Sequence, residues 1–378
     1  MSGQRSEVIV VGLGAMGAAL AWRLARRGVR VVGLDRYHPP HALGSTHGRS
    51  RIIREAYYEH PHYVPMVQRA FGLWAELEAE SRTRLYQPTG GLMIGPVDGP
   101  LVSGARTSAA RHGVPVQVWS RDELAARVPA LTPPADAIGL FEPRAGMLDP
   151  ERAVSALLSS AAARGADLRF DAAVTGFEVV DGGVTVRTEA GERFEADQLV
   201  MAAGGWMTML LPDLALPLVV ERAVQYWFHT AGDARYAPGA LPIFLLEAPD
   251  GRMLYGLPDQ GHGLKLAEHH NGETSTADAI RREVSPAEPE QFLEFAAPFV
   301  PGLGAPSATA VCFYTNTPDE HFILDRHPRH DRVYLVSACS GHGFKFAPAI
   351  GELVADEIGG RAPFTDLTPF RLSRFARV

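Results

Sequence analysis

Three glycines and one acidic residue near the start of the chain have the spacing of a dinucleotide-binding site. Gly12, Gly14 and Gly17 follow an apolar run, and Asp35 lies 23 residues after Gly12. The first glycine permits a tight turn, the second lets the backbone approach a pyrophosphate, and the third allows close helix–strand packing. The carboxylate suits the ribose hydroxyls at the usual separation of about 20 residues. These residues predict a site for FAD or NAD, and an acid in place of an arginine disfavours a 2′-phosphate.

The elements around these residues form a β-turn-α-β unit. An apolar run over 8–11 leads into the glycines, and a helical pattern over 15–27 ends at Gly28. A second apolar run, 29–34, ends at Asp35. Because the first turn of a helix has free N–H groups, it attracts phosphates. The complete order favours a nucleotide-binding unit over a βαβ turn without a ligand.

A cationic segment, 44–54, follows the acidic residue. A solvated basic loop is the usual explanation of such a segment, but Ile52 and Ile53 indicate that this one turns inward. Guanidinium groups bind carboxylates in a bidentate fork, so the segment predicts an anion site. Its basic residues are His47, Arg49, Arg51 and Arg54.

Three residues in the second half of the chain could also do chemistry. Cys312 by itself is most simply a small buried hydrophobe, and Lys265 by itself is most simply a surface lysine. Lys345 lies between Phe344 and Phe346 after a glycine-rich turn, a poor place for a solvated side chain. On their types alone, these residues leave the structural and functional explanations open.

Five segments in order carry a family resemblance. The segments are GLGAMG at 12–17, HGRSRIIR at 47–54, GLKLAEHH at 263–270, CFYTNTPDEHFILDRHP at 312–328 and SGHGFKF at 340–346. With these segments, the chain resembles over nearly its whole length the monomeric sarcosine oxidase and N-methyltryptophan oxidase family, amine-oxidising flavoproteins related to D-amino acid oxidase. The resemblance implies that the dinucleotide is FAD.

The resemblance implies roles for the reactive residues. Cys312 would bond through sulfur to the 8α carbon of the flavin ring, and His47 and Arg51 would lie against the flavin and assist that attachment. Arg54 and Lys345 would bind the substrate carboxylate, since two fixed cations suit one anion. Such a sulfur bond would raise the flavin's reduction potential and hold the cofactor permanently.

The resemblance also implies an oxygen site and a substrate cavity. Lys265 would lie near the flavin, where a cation stabilises superoxide as it forms. Tyr314, Tyr255 and His269 would line the cavity, where Leu245 takes the place of a methionine of the sarcosine enzymes. The other implied cofactor contacts are Gly12, Gly14, Met16, Gly17, Asp35, Arg36, Ser45, Ser50, Ala203, Gly204, Trp206, Gly341, Gly343 and Phe344.

The expected fold is α/β. It combines an FAD-binding Rossmann-like domain of the glutathione reductase-related type with an inserted, mainly antiparallel sheet domain. We assign 1–85, 146–216 and 306–378 to the FAD-binding domain, and 86–145 and 217–305 to the substrate domain.

Local signals predict three boundaries of secondary structure. Ser120 and Glu123 form a capping box that starts a helix. Asp149 caps a second helix, whose first turn contains a proline and which ends at Gly165. The pair Asp181–Gly182 predicts a hairpin turn.

Net charge, apolar run length and the cysteine and histidine contents disfavour several classes of protein. A net charge of −7 without a basic block disfavours a nucleic-acid partner, and no apolar run approaches the roughly 18 residues of a membrane span. The two cysteines do not make a disulfide framework, and no secretory leader is recognisable, so a cytoplasmic location is expected. The histidines lack the spacing of a zinc site, so no metal is expected. A monomer is the family expectation.

The expected reaction is FAD-dependent oxidation of a secondary or tertiary amine of an amino acid, such as an N-methyl amino acid. The products are an imine and, from O2, hydrogen peroxide. One alternative is a flavin oxidase of a cyclic imino acid, a glycated amino acid or a biosynthetic amine. The others are an NAD-dependent dehydrogenase and a flavoprotein that binds its ligand without turnover.

Overall fold

The protein has a mixed α/β architecture, seen in a computed structural model that describes residues 5–375. None of the helices within that range is long and apolar enough to cross a membrane. The α-helices are α1 (Ala15–Arg26), α2 (Tyr63–Ser81), α3 (Pro100–His112), α4 (Arg121–Arg127), α5 (Pro150–Ala162), α6 (Met207–Leu210), α7 (Ala287–Ala296) and α8 (Ala347–Ile358).

The strands form three sheets, of eight, nine and three strands, in this part of the chain. They are β1 (Ser6–Val11), β2 (Val31–Leu34), β3 (Arg51–Ile53), β4 (Tyr86–Pro88), β5 (Gly91–Pro96), β6 (Gln117–Trp119), β7 (Ala137–Glu142), β8 (Gly146–Leu148), β9 (Asp167–Arg169), β10 (Val174–Val180), β11 (Gly183–Thr188), β12 (Arg193–Met201), β13 (Val219–Phe228), β14 (Ile243–Glu247), β15 (Met253–Leu257), β16 (Leu264–His269), β17 (Thr274–Ser275), β18 (Pro306–Asn316), β19 (Ile323–His327) and β20 (His330–Ser337).

The eight-stranded sheet is the Rossmann-like core. Its central strands β20, β12, β1, β2 and β9 run parallel, while β10, β11 and β19 pair antiparallel at its margins. The strands β1 and β2 are buried almost throughout, as expected of parallel strands covered on both faces. The apolar faces of α1, α2, α5 and α8 contribute to one buried cluster on this core. The predicted α/β class is confirmed.

The nine-stranded sheet is mainly antiparallel. Its order is β17-β13-β16-β15-β14-β5-β7-β6. The strand β18 also pairs with β13, along its whole length. The pair of β14 with β5 is parallel. A small third sheet joins β3 to β8 and β4. Through β3, the cationic segment 44–54 is joined to this small sheet.

One strand lies in a different sheet from the one expected. The segment Pro306–Asn316 was assigned to the FAD-binding domain, but it pairs with β13 from Val219 to Phe228. This strand is therefore part of the nine-stranded sheet. Pairing between strands almost ninety residues apart is a tertiary property that the local pattern does not report.

The local capping and turn signals are confirmed. Ser120 and Glu123 form a reciprocal capping box, and the side chain of Asp149 accepts from Arg152 N. The hairpin β10–β11 turns at Asp181–Gly182. The last residue of the helix capped by Asp149 is Ala162, and Gly165, with φ +90°, lies in the turn that closes it as predicted.

Candidate cofactor and substrate site

A cavity of about 490 Å³ has walls from both large sheets. This volume lies within the usual range for small-molecule sites, about 300–1,000 Å³. All site residues proposed from the sequence line it, except Gly17 and His47. The structure therefore brings residues from the first sixty and the last seventy positions of the chain into one site.

The glycine turn forms one wall of this cavity. Gly12 has φ +90°, and a Cβ there would come within 2.5 Å of Ala202 O. Beside Gly14 the space is open, since the nearest atom to a Cβ would be Thr46 Oγ1 at 3.8 Å. A Cβ on Gly17 would overlap Gly12 O, so Gly17 lets the helix pack against the turn and does not itself line the cavity. The first two glycines keep open the space that a pyrophosphate needs.

Asp35 lies at the end of β2 and faces the same cavity. Its Oδ2 accepts from Leu13 N at 2.6 Å and its Oδ1 from Tyr37 N at 2.8 Å. Burial raises the pKa of this carboxyl, and the two backbone bonds oppose that rise. A carboxylate has about four acceptor positions, so it can still accept from a ribose.

Cys312, on β18, lies beside a guanidinium. Its Sγ donates to Ser45 O at 3.3 Å, and Arg51 Nη2 lies 3.7 Å from the sulfur. Arg51 also donates to Ser45 O at 2.8 Å. Burial raises the pKa of the Cys312 thiol, while the charge of Arg51 opposes the rise. The guanidinium is placed to favour the thiolate, which is the reactive form of cysteine.

Lys265, on β16, is buried against the cationic segment. Its Nζ donates to Gly48 O at 2.7 Å and to Ser50 O at 2.9 Å, and it lies 5.3 Å from the centre of the Trp227 ring. Burial lowers the pKa of Lys265, and the charge of Arg51 lowers it further. Because an ammonium has three N–H donors, one donor is left for a group in the cavity.

Lys345 lies in the turn before α8. Its Nζ donates to His342 O at 2.7 Å and to Tyr57 Oη at 3.1 Å. Tyr57 Oη also lies 2.7 Å from His342 Nδ1. Burial and the nearby charge of Arg54 lower the pKa of Lys345 to about 7. This ammonium also keeps one N–H for a ligand.

Arg54 lines the same cavity as Lys345 and has an internal partner. Its Nη2 donates to both carboxylate oxygens of Glu59 at 2.8 Å, and its Nη1 donates to Ala56 O at 3.0 Å. Glu59 lines the cavity as well. Sequence reasoning missed this acid, although its place five residues after Arg54 on one segment was an available signal. Of the five guanidinium donors, some remain for a second carboxylate.

The aromatic end of the cavity contains His269, Tyr255 and Tyr314. His269 Nδ1 lies 3.4 Å from Tyr314 Oη, and its ring centre is 6.3 Å from that of Tyr255. Burial lowers the pKa of His269, and the adjacent His270 lowers it further. This imidazole is therefore held neutral at the wall of the cavity.

His47 is not among the residues that line the cavity. It is buried, and among residues 5–375 its Nε2 has no hydrogen-bond partner. Burial, together with the charge of Arg51, lowers its pKa to about 4, so the imidazole is neutral near pH 7.

The lysine content of the chain is unusual. Lys265 and Lys345 are its only lysines, among 36 lysine and arginine residues in total. They are 2% and 5% exposed, and both line the cavity. Lysine shifts its pKa readily on burial whereas arginine stays charged, so both ammonium groups of the chain's lysines, whose pKa values burial lowers, are in the site.

Comparison with known proteins assigns the family. Residues 7–357 match a family model described as "FAD dependent oxidoreductase". The chain belongs to this family. It is 40% identical over 356 residues to the monomeric sarcosine oxidase of Streptomyces avermitilis, covering 93% of this chain and 92% of that one. It is 36% identical over 374 residues to the N-methyl-L-tryptophan oxidase of Salmonella arizonae, covering 98% and 99%. The predicted family and the choice of FAD over NAD are confirmed.

Solved structures give the same fold for this FAD-dependent oxidoreductase. NikD, described as an unusual amino acid oxidase essential for nikkomycin biosynthesis, matches with a TM-score of 0.85 at 24% identity over 97% of each chain. Glycine oxidase from Geobacillus kaustophilus matches with a TM-score of 0.82 at 22% identity, covering 99% of this chain and 100% of that one. At these identities the likeness concerns the fold.

The cavity fits the cofactor of the family. The turn at Gly12 and Gly14 leaves room for a pyrophosphate at the start of α1, and Asp35 offers a ribose acceptor beside it. At the other end, Lys265 and Cys312 present a free N–H and a buried thiol. Among residues 5–375, no cluster of three or more histidine, cysteine or acidic side chains could hold a metal ion.

Proposed function

We propose that this FAD-dependent oxidoreductase oxidises a secondary or tertiary amine of an α-amino acid, such as an N-methyl amino acid, to an imine, with O2 reduced to hydrogen peroxide. The observation that carries the proposal is the pair of buried cations, Arg54 and Lys345, in the cavity that also holds the glycine turn. Two relatives, named sarcosine oxidase and N-methyl-L-tryptophan oxidase, are similar over nearly the whole chain.

The charges at the substrate end favour one carboxylate. Arg54 and Lys345 are cationic, and Glu59 is anionic and already bound to Arg54. The three groups sum to one positive charge when Lys345 is protonated, which one substrate carboxylate neutralises. A buried site with this balance disfavours a simple amine without a carboxylate, because an unpaired buried charge is costly.

The protein's residues would bind and orient the amino acid. Lys345 and Arg54 hold the carboxylate with their remaining N–H groups, which places the amine toward the aromatic end. There the neutral imidazole of His269 can accept a hydrogen bond from the amine, which must be uncharged to lose a hydride equivalent. Bound FAD supplies the two-electron acceptor that the side chains lack. The imine then hydrolyses in water.

An anaerobic titration tests the proposed reaction. Sarcosine, N-methyltryptophan, pipecolate, proline and a fructosyl amino acid are each added to the yellow protein without oxygen. Bleaching by an N-methyl amino acid supports the proposal, and selective bleaching by a cyclic or glycated amino acid establishes the alternative substrate class. If no compound bleaches a flavin that dithionite still reduces, the proposed reaction is wrong.

We further propose that Cys312 carries FAD covalently through its sulfur: the S–H bond and one C–H bond at the flavin 8α carbon would be replaced by a C–S bond, and O2 would accept the two electrons released. Its burial beside Arg51 supports this role. Acid-precipitated wild-type protein should then stay yellow, whereas Cys312→Ala should release essentially all of its flavin into the supernatant. Cys339→Ala is the matched control, since that cysteine also lines the cavity, and its precipitate should stay yellow. Colourless wild-type precipitates would show that FAD binds without a bond.

The proposal also covers the oligomeric state, the cellular location and the division of the chain into domains. We infer a monomer, as in the relative named monomeric sarcosine oxidase, and a reducing cytoplasmic setting that suits two unpaired thiols. The FAD-binding portion comprises 1–85, 146–216 and the chain after Asn316, and the remainder forms the substrate portion.

A further inference from the structure

Two charged side chains contact opposite ends of one peptide group beside the cavity. The peptide between Gly48 and Arg49 donates its N–H to Glu151 Oε1 at 3.1 Å, while its carbonyl accepts from Lys265 Nζ at 2.7 Å. Gly48 N donates to the same Glu151 oxygen at 2.7 Å. A carboxylate at the N–H end and an ammonium at the carbonyl end polarise the peptide in the same direction, which strengthens both hydrogen bonds.

The backbone at this point is shaped to receive an anion. Gly48 has φ +102° and Arg49 has φ +67°, so two successive N–H groups converge on one oxygen, as in the anion-binding nests of other proteins. A Cβ at Gly48 would clash with Gln225 Oε1, so glycine is needed there. Glu151 comes from the first turn of α5, where a carboxylate is favourable.

The other charged groups around Lys265 do not replace this carboxylate. Glu151 is the carboxylate that favours the charged lysine, and its second oxygen is buried without a partner among residues 5–375. The arginines oppose the charge of the lysine, and a thiol that has become a thioether has no proton to lose. The groups whose charges affect the pKa of Lys265 are Arg49, Arg51, Cys312 and Glu151, and the charge of Lys265 in turn affects the pKa of His47.

We propose that Glu151 is the positioning residue of Lys265: it holds the Gly48–Arg49 peptide in the orientation that directs the ammonium, and it keeps that ammonium charged for the reaction with O2. The inference rests on the proposed function of Lys265. Glu151 accepts from Gly48 N and Arg49 N and is not among the residues that line the cavity.

The lysine content of the chain allows a direct measurement. Protein labelled with ¹³C only at lysine Cε should give two lysine signals, and Lys265→Met assigns them. Glu151→Gln keeps an acceptor oxygen but loses the charge, so it should lower the pKa of Lys265 by about one pH unit and leave that of Lys345 unchanged. Glu151→Ala, which also removes the acceptor, should lower it at least as far. Arg152→Gln, an exposed charge change on the next residue, is the control and should shift neither signal.

The kinetic consequence follows from that shift. In Glu151→Gln, the high-pH decline of the reoxidation rate should move about one unit to lower pH, which makes reoxidation up to about tenfold slower on that limb. Anaerobic reduction by substrate should stay within about twofold of wild type. In the Lys265→Met background, Glu151→Gln should have no further effect on reoxidation, because it acts through the lysine.

The outcomes separate the inference from the function on which it rests. If Lys265→Met does not slow reoxidation, the oxygen role of the lysine is wrong. If that variant is slow but Glu151→Gln leaves both the Lys265 pKa and the pH profile unchanged, the positioning role alone is wrong. An equal loss from Glu151→Gln in both backgrounds would show a general structural effect and would also overturn the inference.

Discussion

Lys265→Met should slow the reaction of the reduced protein with O2 by about 10²–10³-fold, the usual cost of removing one charged group that stabilises a developing anion. The side chain is buried, uses two of its three donors on Gly48 O and Ser50 O, and points the third into the cavity. Methionine has a similar length without the charge. Stopped-flow mixing of substrate-reduced protein with oxygenated buffer measures the effect.

The reductive half-reaction is the internal control for this variant. Anaerobic bleaching by substrate should stay within a few-fold of wild type, because the carboxylate site at Lys345 is untouched. Since burial lowers the pKa of Lys265, wild-type reoxidation should decline as pH rises through that pKa, and the variant should lack this decline. Equal slowing of both half-reactions would argue against an oxygen role.

Substrate capture by wild-type protein should weaken as pH rises above about 7, because the pKa of Lys345 lies at about 7. The protonated form is the one that binds a carboxylate, so capture is complete below that pKa and is lost above it. Because kcat/KM reports on the free enzyme, its pH profile should have a descending limb above about pH 7, on which kcat/KM falls about tenfold per pH unit. The ¹³C signal of Lys345 should titrate with the same midpoint.

Lys345→Gln should remove this limb and raise KM by roughly 100-fold, the scale expected when one partner of a buried charge pair is lost. The maximal rate should change much less if the carboxylate contact only binds the substrate. Lys345→Arg is the matched comparison: it stays charged at all accessible pH values, so its profile should be flat near pH 7 even where its fit is poorer. A limb near pH 7 that persists in both variants would assign it to another group.

The parts of the site that sequence could predict are those set by local backbone requirements. Gly12 needs a positive φ, Gly17 needs contact with the turn, and Asp35 must end the second strand; each requirement selects one residue type at one spacing. The same holds for the caps at Ser120 and Asp149. Such signals can be recognised in the sequence because they act over a few residues.

The parts that could not be predicted depend on packing between distant segments. Glu151 contacts Gly48 across about a hundred residues of chain, and β18 pairs with β13 across about ninety. The motif containing His47 predicts a cofactor contact; His47 is not among the residues that line the cavity, and the contact stays a prediction. The partner of Arg54 was close in sequence, but only the fold of the 54–59 segment brings Glu59 back onto it.

The confinement of lysine to the cavity has a further consequence for proteolysis. An endoproteinase that cleaves only after lysine has two bonds to cut, at residues that are 2% and 5% exposed. It can act only on molecules in which β16 or the turn before α8 has opened. At saturating protease, the loss of intact chain therefore follows the rate at which the cavity walls separate, and at limiting protease it follows the population of the open form. Digestion of the native chain thus reports on opening of the cofactor site alone, undisturbed by cleavage of surface loops.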